Sequence, residues 1–265
     1  LLPGTYAESG LVIPANCSLN GLDAQTCIIQ PSSFVVGTNT CVAMGVNTRF
    51  ENFTLRMISS TVGANLTGVY FPTGTAVPGK MRVIIMTISS SAGGQVYAVL
   101  SDGTDNAGLA PPYATQNPIQ RCTLNASSTG SAKVRGIMVS NNNRFAVRDI
   151  VVNATGTTNS VGVESDSAFC RVDLKTSTVG GSTYDILQPS GLGSSTAVIT
   201  IGATDLRNSN ANGHGFDVSI QPNVLISELG SQVSFTGQGS QSQTPNGVYF
   251  LTPGTTIANF ATSIV

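Results

Sequence analysis

Arg49-Phe50-Glu51-Asn52-Phe53-Thr54-Leu55-Arg56 and Arg144-Phe145-Ala146-Val147-Arg148-Asp149-Ile150 both set apolar residues against polar ones along a short run. Successive side chains of a strand point to opposite faces, so each stretch reads as one wall of a coil with a dry and a wet side. Similar runs of four to seven residues recur between Gly, Asn, Ser or Pro, among them Thr26 to Gln30, Leu66 to Phe71, Met81 to Ile88, Val134 to Ser140, Phe169 to Leu174 and Thr196 to Ile201. A sandwich of these strands would need tight hairpins. Asn-Gly occurs only at Asn20-Gly21, Asn212-Gly213 and Asn246-Gly247, and Asp-Gly only at Asp102-Gly103, so most links lack hairpin chemistry and parallel strands are expected.

A Gly followed by an apolar residue repeats at Gly45-Val46, Gly68-Val69, Gly136-Ile137, Gly162-Val163 and Gly247-Val248. Gly45 and Gly68 are 23 residues apart, Gly136 and Gly162 are 26 apart, and Gly68 and Gly136 are 68 apart, close to three times the first spacing. A period in the twenties is one solenoid turn, which divides the chain into roughly ten or eleven rungs. Two longer echoes, Gly68-Val-Tyr-Phe with Gly247-Val-Tyr-Phe and Asn47-Thr-Arg-Phe with Asn142-Asn-Arg-Phe, are expected to lie whole rungs apart. The stretch Ser89 to Pro118, with Gly93-Gly94 and Pro111-Pro112, is expected to protrude as a loop from a single domain spanning 1–265.

Composition narrows the function. Charged residues are 9% of the 265, there are 29 Gly and no Trp, and the net charge is -1. So few charges cannot line many helical faces, and the surface must be neutral and hydroxyl-rich. Nucleic acid is a poor partner, because the chain has neither excess positive charge nor a run of Lys and Arg. No apolar run approaches the length of a membrane span. Because it opens at Leu1 directly into patterned sequence, the chain is expected to be a processed product or part of a longer polypeptide. Cys17, Cys27, Cys41, Cys122 and Cys170 are odd in number and lack CxxC spacing, so they are expected to be buried small hydrophobes rather than zinc ligands, and no metal site is expected.

The opening Leu2-Pro-Gly-Thr-Tyr, followed by Leu11-Val-Ile-Pro-Ala-Asn-Cys-Ser-Leu-Asn-Gly and Thr26-Cys-Ile-Ile, resembles the first coils of pectin lyase-like proteins. The resemblance implies an all-β fold, a right-handed single-stranded parallel β-helix. Members of that superfamily include polysaccharide-cleaving enzymes, phage tailspike-like proteins and particle proteins of large DNA viruses.

The enzymatic implication can be followed residue by residue. His214, the only histidine, lies in Gly213-His-Gly, which is similar to a polygalacturonase motif and would make it the active-site histidine. That family also has an Asn-Thr-Asp, an Asp-Asp pair and an Arg-x-Lys, none of which is here. Hydrolysis needs two carboxyls across the scissile bond, for which Asp102 with Asp105 and Glu164 with Asp166 are candidates. A lyase of this fold would use a carboxylate cluster on Ca²⁺ and a basic residue as proton acceptor; Asp149, Asp173 and Asp205, near Arg148, Arg171 and Arg207, are the nearest match. The same residues read as paired charges along a solvent face, which is the reading favoured. Tyr97 and Tyr113, with Asp102 and Asp105, are candidate sugar contacts.

The expectation is therefore a structural or adhesive β-helix, extracellular or on a virion, that contacts glycans or other surface proteins and is oligomeric or assembly-bound. It needs no cofactor, nucleic acid or membrane insertion. The alternative is a lyase or hydrolase of uronate-containing polysaccharide, the one case in which Ca²⁺ would enter.

Overall fold

The computed structural model describes residues 1–72, 79–102, 117–130, 132–140, 144–157, 159–166, 171–188, 198–202, 204–207, 214–218, 223–226, 233–236, 240–244, 247–251 and 256–257. Beyond residue 187 the description is of backbone, Thr204 excepted. The described elements are strands joined by turns, and they build a parallel β-solenoid from two sheets, one of ten strands and one of sixteen.

In the ten-stranded sheet, Leu11–Ile13, Gly37–Met44, Ala64–Phe71, Val96–Ser101, Val134–Val139, Ser160–Ser165, Tyr184–Gln188, His214–Val218 and Ser240–Thr244 follow one another in parallel. Val42 pairs with Val69, Val69 with Val99, Val99 with Ile137, Ile137 with Val163 and Val163 with Ile186, which are steps of 27, 30, 38, 26 and 23 residues. Three of the five steps are longer than the Gly spacings imply, and among the described residues nine parallel strands follow one another in this sheet rather than ten or eleven. Gly45 is not in the column of Gly68, which faces Cys41 across the ladder, and Gly68 to Gly136 is two turns rather than three.

Gly68, Gly136 and Gly162 do share a column, and close approach explains it. The ladder pairing runs from Arg135–Val161 to Ile137–Val163 and skips the glycines. A Cβ on Gly68 would sit 2.6 Å from the Ala98 carbonyl oxygen, one on Gly136 2.6 Å from that of Gly162, and one on Gly162 2.7 Å from that of Asp185. At Gly136 and Gly162 it would also run into Val152 and Val179 of the opposing sheet. The repeated glycine is a bend where two walls touch.

The sixteen-stranded sheet is bent into two limbs. Arg49–Ser59 and Lys80–Ser90 run through the bend; in later turns Asn117–Gln120 and Thr123–Ser128, or Arg144–Arg148 and Val151–Thr155, share the same span. The corner is one residue in the left-handed region, stacked turn on turn: Asn52 (φ 63°), Val83 (51°), Arg121 (53°), Asp149 (54°) and Thr176 (49°). This residue resets the alternation. Phe50 and Phe53 both point inward, three positions apart, with rings stacked at 5.0 Å, where simple alternation would expose one of them.

The core is accordingly a set of columns: Phe50, Met81, Ile119, Val147 and Leu174; Leu55, Met86, Leu124, Val152 and Val179; Val69, Val99, Ile137, Val163 and Ile186. Stacking like on like repeats each contact at the strand spacing of about 4.8 Å, so one packing solution serves every turn.

Several expectations change. Asn47-Thr-Arg-Phe and Asn142-Asn-Arg-Phe are out of phase by two residues, since the Arg49 column continues through Lys80 and Pro118 to Ala146. Ser89 and Ser90 close a strand and Val96–Ser101 is a full solenoid strand, so a loop spanning Ser89 to Pro118 does not exist as drawn; 103–116 lies outside the described residues. Gly247–Leu251 is no turn of the stack, because it runs antiparallel to Ser240–Thr244, as Thr256–Ile257 does to Val233–Thr236. Cys27, Cys41 and Cys122 are buried free thiols as expected, whereas Cys17 is exposed, in a turn before Ser18–Asn20; Cys170 lies outside the described residues. No helix among the described residues is long and apolar enough to cross a membrane.

Candidate functional site

A coupled group of ionisable side chains lies on the outer face of the ten-stranded sheet, where the glycine bend places it. Thr67, Tyr97, Arg135 and Val161 form the column before the bend, and Tyr70, Leu100, Met138 and Glu164 the column two residues beyond the glycines. Arg135 and Glu164 therefore meet diagonally across one turn. Arg135 Nε donates to Glu164 Oε2, and Lys133 Nζ reaches Glu164 Oε1 at 3.3 Å. The remaining guanidinium contacts are Nη1 to the Val134 and Asn159 carbonyls at 2.9 and 2.8 Å and Nη2 to Asn159 Oδ1 at 2.9 Å.

The pair is buried, with the Arg135 side chain 2% and that of Glu164 1% exposed. Burial pulls the Arg135 pKa down from its ordinary value, and the Glu164 charge opposes that pull. Asp166, half-buried beyond Glu164, is pushed up by burial and then by the Glu164 charge, with Lys133 and Arg135 opposing. The Tyr97 hydroxyl, which donates to Gln95 Oε1 at 2.8 Å, is also pushed up, chiefly by burial. Chemically the cluster is a clamp: Glu164 takes charge from two cations, and Arg135 ties together the strand it sits on and the start of the next turn.

Glu164 and Asp166 do share the outer wall, as their spacing predicts. Asp102 lies on the same wall and accepts a hydrogen bond from the Tyr70 hydroxyl, whose pKa is raised by burial and then by Asp102. Asp105 and Tyr113 lie outside the described residues. The lyase candidates are on the other sheet and in three separate columns. Asp149 is at the corner with Arg121 and Thr176, Asp173 pairs with Ala146 and Thr200, and Asp205 pairs with Thr178 and Ser234 on the second limb. Arg171 pairs with Arg144 and Val198, Arg148 with Gln120 and Lys175, and Arg207 with Thr236. His214 begins His214–Val218 and pairs with Tyr184; the described backbone puts it in the Tyr97 column, on a different sheet from Asp173 and Asp205. No group of three or more His, Cys, Asp or Glu among the described residues is arranged to hold a metal ion.

Arg135, Lys133 and Asn159 were not among the sequence candidates. The available signal was the glycine itself: aligning Gly136 with Gly162 puts Arg135 just before one bend and Glu164 two residues past the next. Fold and site together define a parallel β-solenoid with an Arg135–Glu164–Lys133 charge cluster internalised on one wall. Comparison with protein-family models, with curated proteins and with solved structures returns no match.

Proposed function

We propose that this protein is a structural or adhesive β-helix of the pectin lyase-like kind, displayed extracellularly or on a virion, and that it contacts glycans or neighbouring surface proteins without cleaving them. The observation that carries this reading is the closed state of the Arg135–Glu164–Lys133 cluster, in which the buried acid and the buried base are committed to each other and to Asn159. A catalytic pair must be free to exchange protons with a substrate.

Two further features support it. The second limb presents hydroxyls and amides in rows: Thr87, Asn125 and Asn153 stack in one, with Asn153 Nδ2 donating to Asn125 Oδ1 at 2.9 Å, and Ser89 and Ser127 in the next, with hydroxyls 3.0 Å apart. At the first turn, Leu2, Val12, Leu22 and Val36 are each at least 70% exposed. Among the described residues the strands Gly4–Tyr6, Leu11–Ile13 and Ser18–Asn20 each pair on one side only, which suits an assembly that covers that end.

Incubation with uronate polysaccharides and with neutral glycans, with and without Ca²⁺, tests the reading. No oligosaccharide should be released. Release that disappears in Asp173→Ala would overturn it in favour of the lyase or hydrolase alternative.

A further inference from the structure

The register gathers positive charge that is scattered in the sequence. Arg49, Lys80, Arg82, Arg121, Arg144, Arg148, Arg171 and Lys175, eight of the chain's twelve Lys and Arg, fall on the first limb of the bent sheet or its corner. Six of these, all but Arg144 and Arg171, have described side chains, and against the acids there, Glu51, Asp149 and Asp173, they leave a surplus of three positive charges on one wall of a chain whose net charge is -1.

The geometry is regular. Arg49 and Lys80 are neighbours in one outward column; Arg82, Gln120, Arg148 and Lys175 continue the next; Arg121 stands at the corner beside them. Arg49, Lys80, Arg121 and Arg148 are exposed, and Arg82 and Lys175 half-exposed. Neighbours within a column are about 4.8 Å apart, and adjacent outward columns about 7 Å apart.

We infer that this wall is a docking surface for a linear anionic glycan, sulfated or carboxylated, lying along the stack. Charge complementarity selects an anion, and charge density selects which kind. Three surplus charges over five strands amount to about one per 6–8 Å, whereas duplex DNA presents about one negative charge per 1.7 Å. The outward residues among the cations are Asn52, Gln120, Ala146 and Thr176, with the half-buried Val83 at the corner, and no aromatic among the described ones to stack a base. Arg forks grip sulfate and carboxylate alike. Asp149 and Asp173, considered above as lyase residues, become on this wall the acids that thin its charge. The inference takes from the proposed function only that glycans are the contacted material.

Titrate the full chain with heparin, polygalacturonate, neutral dextran and duplex DNA at about 0.15 M salt, and measure oligosaccharide release in the same mixtures. Binding to at least one of the two acidic glycans is expected, falling as salt is raised, with none to dextran and weaker binding to DNA. Arg82→Glu with Arg148→Glu should weaken it by about tenfold or more; Arg56→Glu, on the other limb, should not. Arg121→Gln should give a smaller loss in the same direction, and a thermal melt of each variant separates lost binding from lost folding. Binding to neither acidic glycan, equal binding in the folded double variant, or tighter binding to DNA overturns the inference while leaving the scaffold reading in place. Glycan release overturns the scaffold reading while leaving the wall's binding intact.

Discussion

The same side chains do opposite things on two walls of this solenoid. On the outer face of the ten-stranded sheet, Arg135 and Glu164 are buried and spend their charge on each other. On the first limb of the bent sheet, Arg49, Arg121 and Arg148 stand in water, and their charge is available to a partner. Both walls are parallel sheets with the same strand spacing. The difference is burial, which turns an ion pair from a solvated surface feature worth little into a commitment that cannot be half removed.

Breaking the closed wall should have the largest effect. Glu164→Ala leaves the Arg135 guanidinium buried with no carboxylate, which is expected to cost about 3–5 kcal/mol of unfolding free energy in urea titration. Adding Arg135→Met should recover most of it, since an apolar pair removes the uncompensated charge. A loss below about 1 kcal/mol in the single variant would mean that the two walls do not differ as described.

The corner that borders the open wall comes next. Val83 is β-branched and sits at φ 51°, where such residues are strained, while its column neighbour in the preceding turn is Asn52. Val83→Asn is expected to raise the midpoint of thermal unfolding, by about 1 kcal/mol in stability. A destabilised variant would show that half-buried apolar contact at Val83 outweighs the backbone term.

The smallest effect is one of pH. The Asp166 carboxyl has its folded pKa raised by burial, so the folded state holds that proton more tightly than the unfolded chain. Its contribution is therefore favourable below the ordinary carboxylate pKa and is lost as pH rises through the folded value. Asp166→Asn should remove that decline and leave the protein slightly more stable at neutral pH. Comparing stability-versus-pH curves of Asp166→Asn and the wild type checks this; a curve unchanged by the substitution would detach Asp166 from the buried cluster.

Much of this was legible in one dimension. Alternation in Arg49 to Arg56 announced strands, the shortage of Asn-Gly announced parallel connections, and Gly136 and Gly162 marked one true turn. Hidden from it was everything that depends on register. The turns vary from 23 to 38 residues, so no fixed period could align Gly45, Gly68 and Gly136 correctly. Arg135 and Glu164 are 29 positions apart, and nothing local distinguishes that pair from any other Arg and Glu.

By itself the sequence determined the class of fold, because a period of two in hydrophobicity and a scarcity of hairpin turns leave few alternatives to stacked parallel strands. It also determined the neutral, hydroxylated character of the surface, which is a matter of composition. Only the tertiary structure decided where the few charges meet. In a solenoid each residue's neighbours come from the turns before and after it, and the varying length of those turns sets which side chains share a column. That placed eight of twelve cations on one limb and its corner and sealed a ninth, Arg135, against Glu164 on another wall.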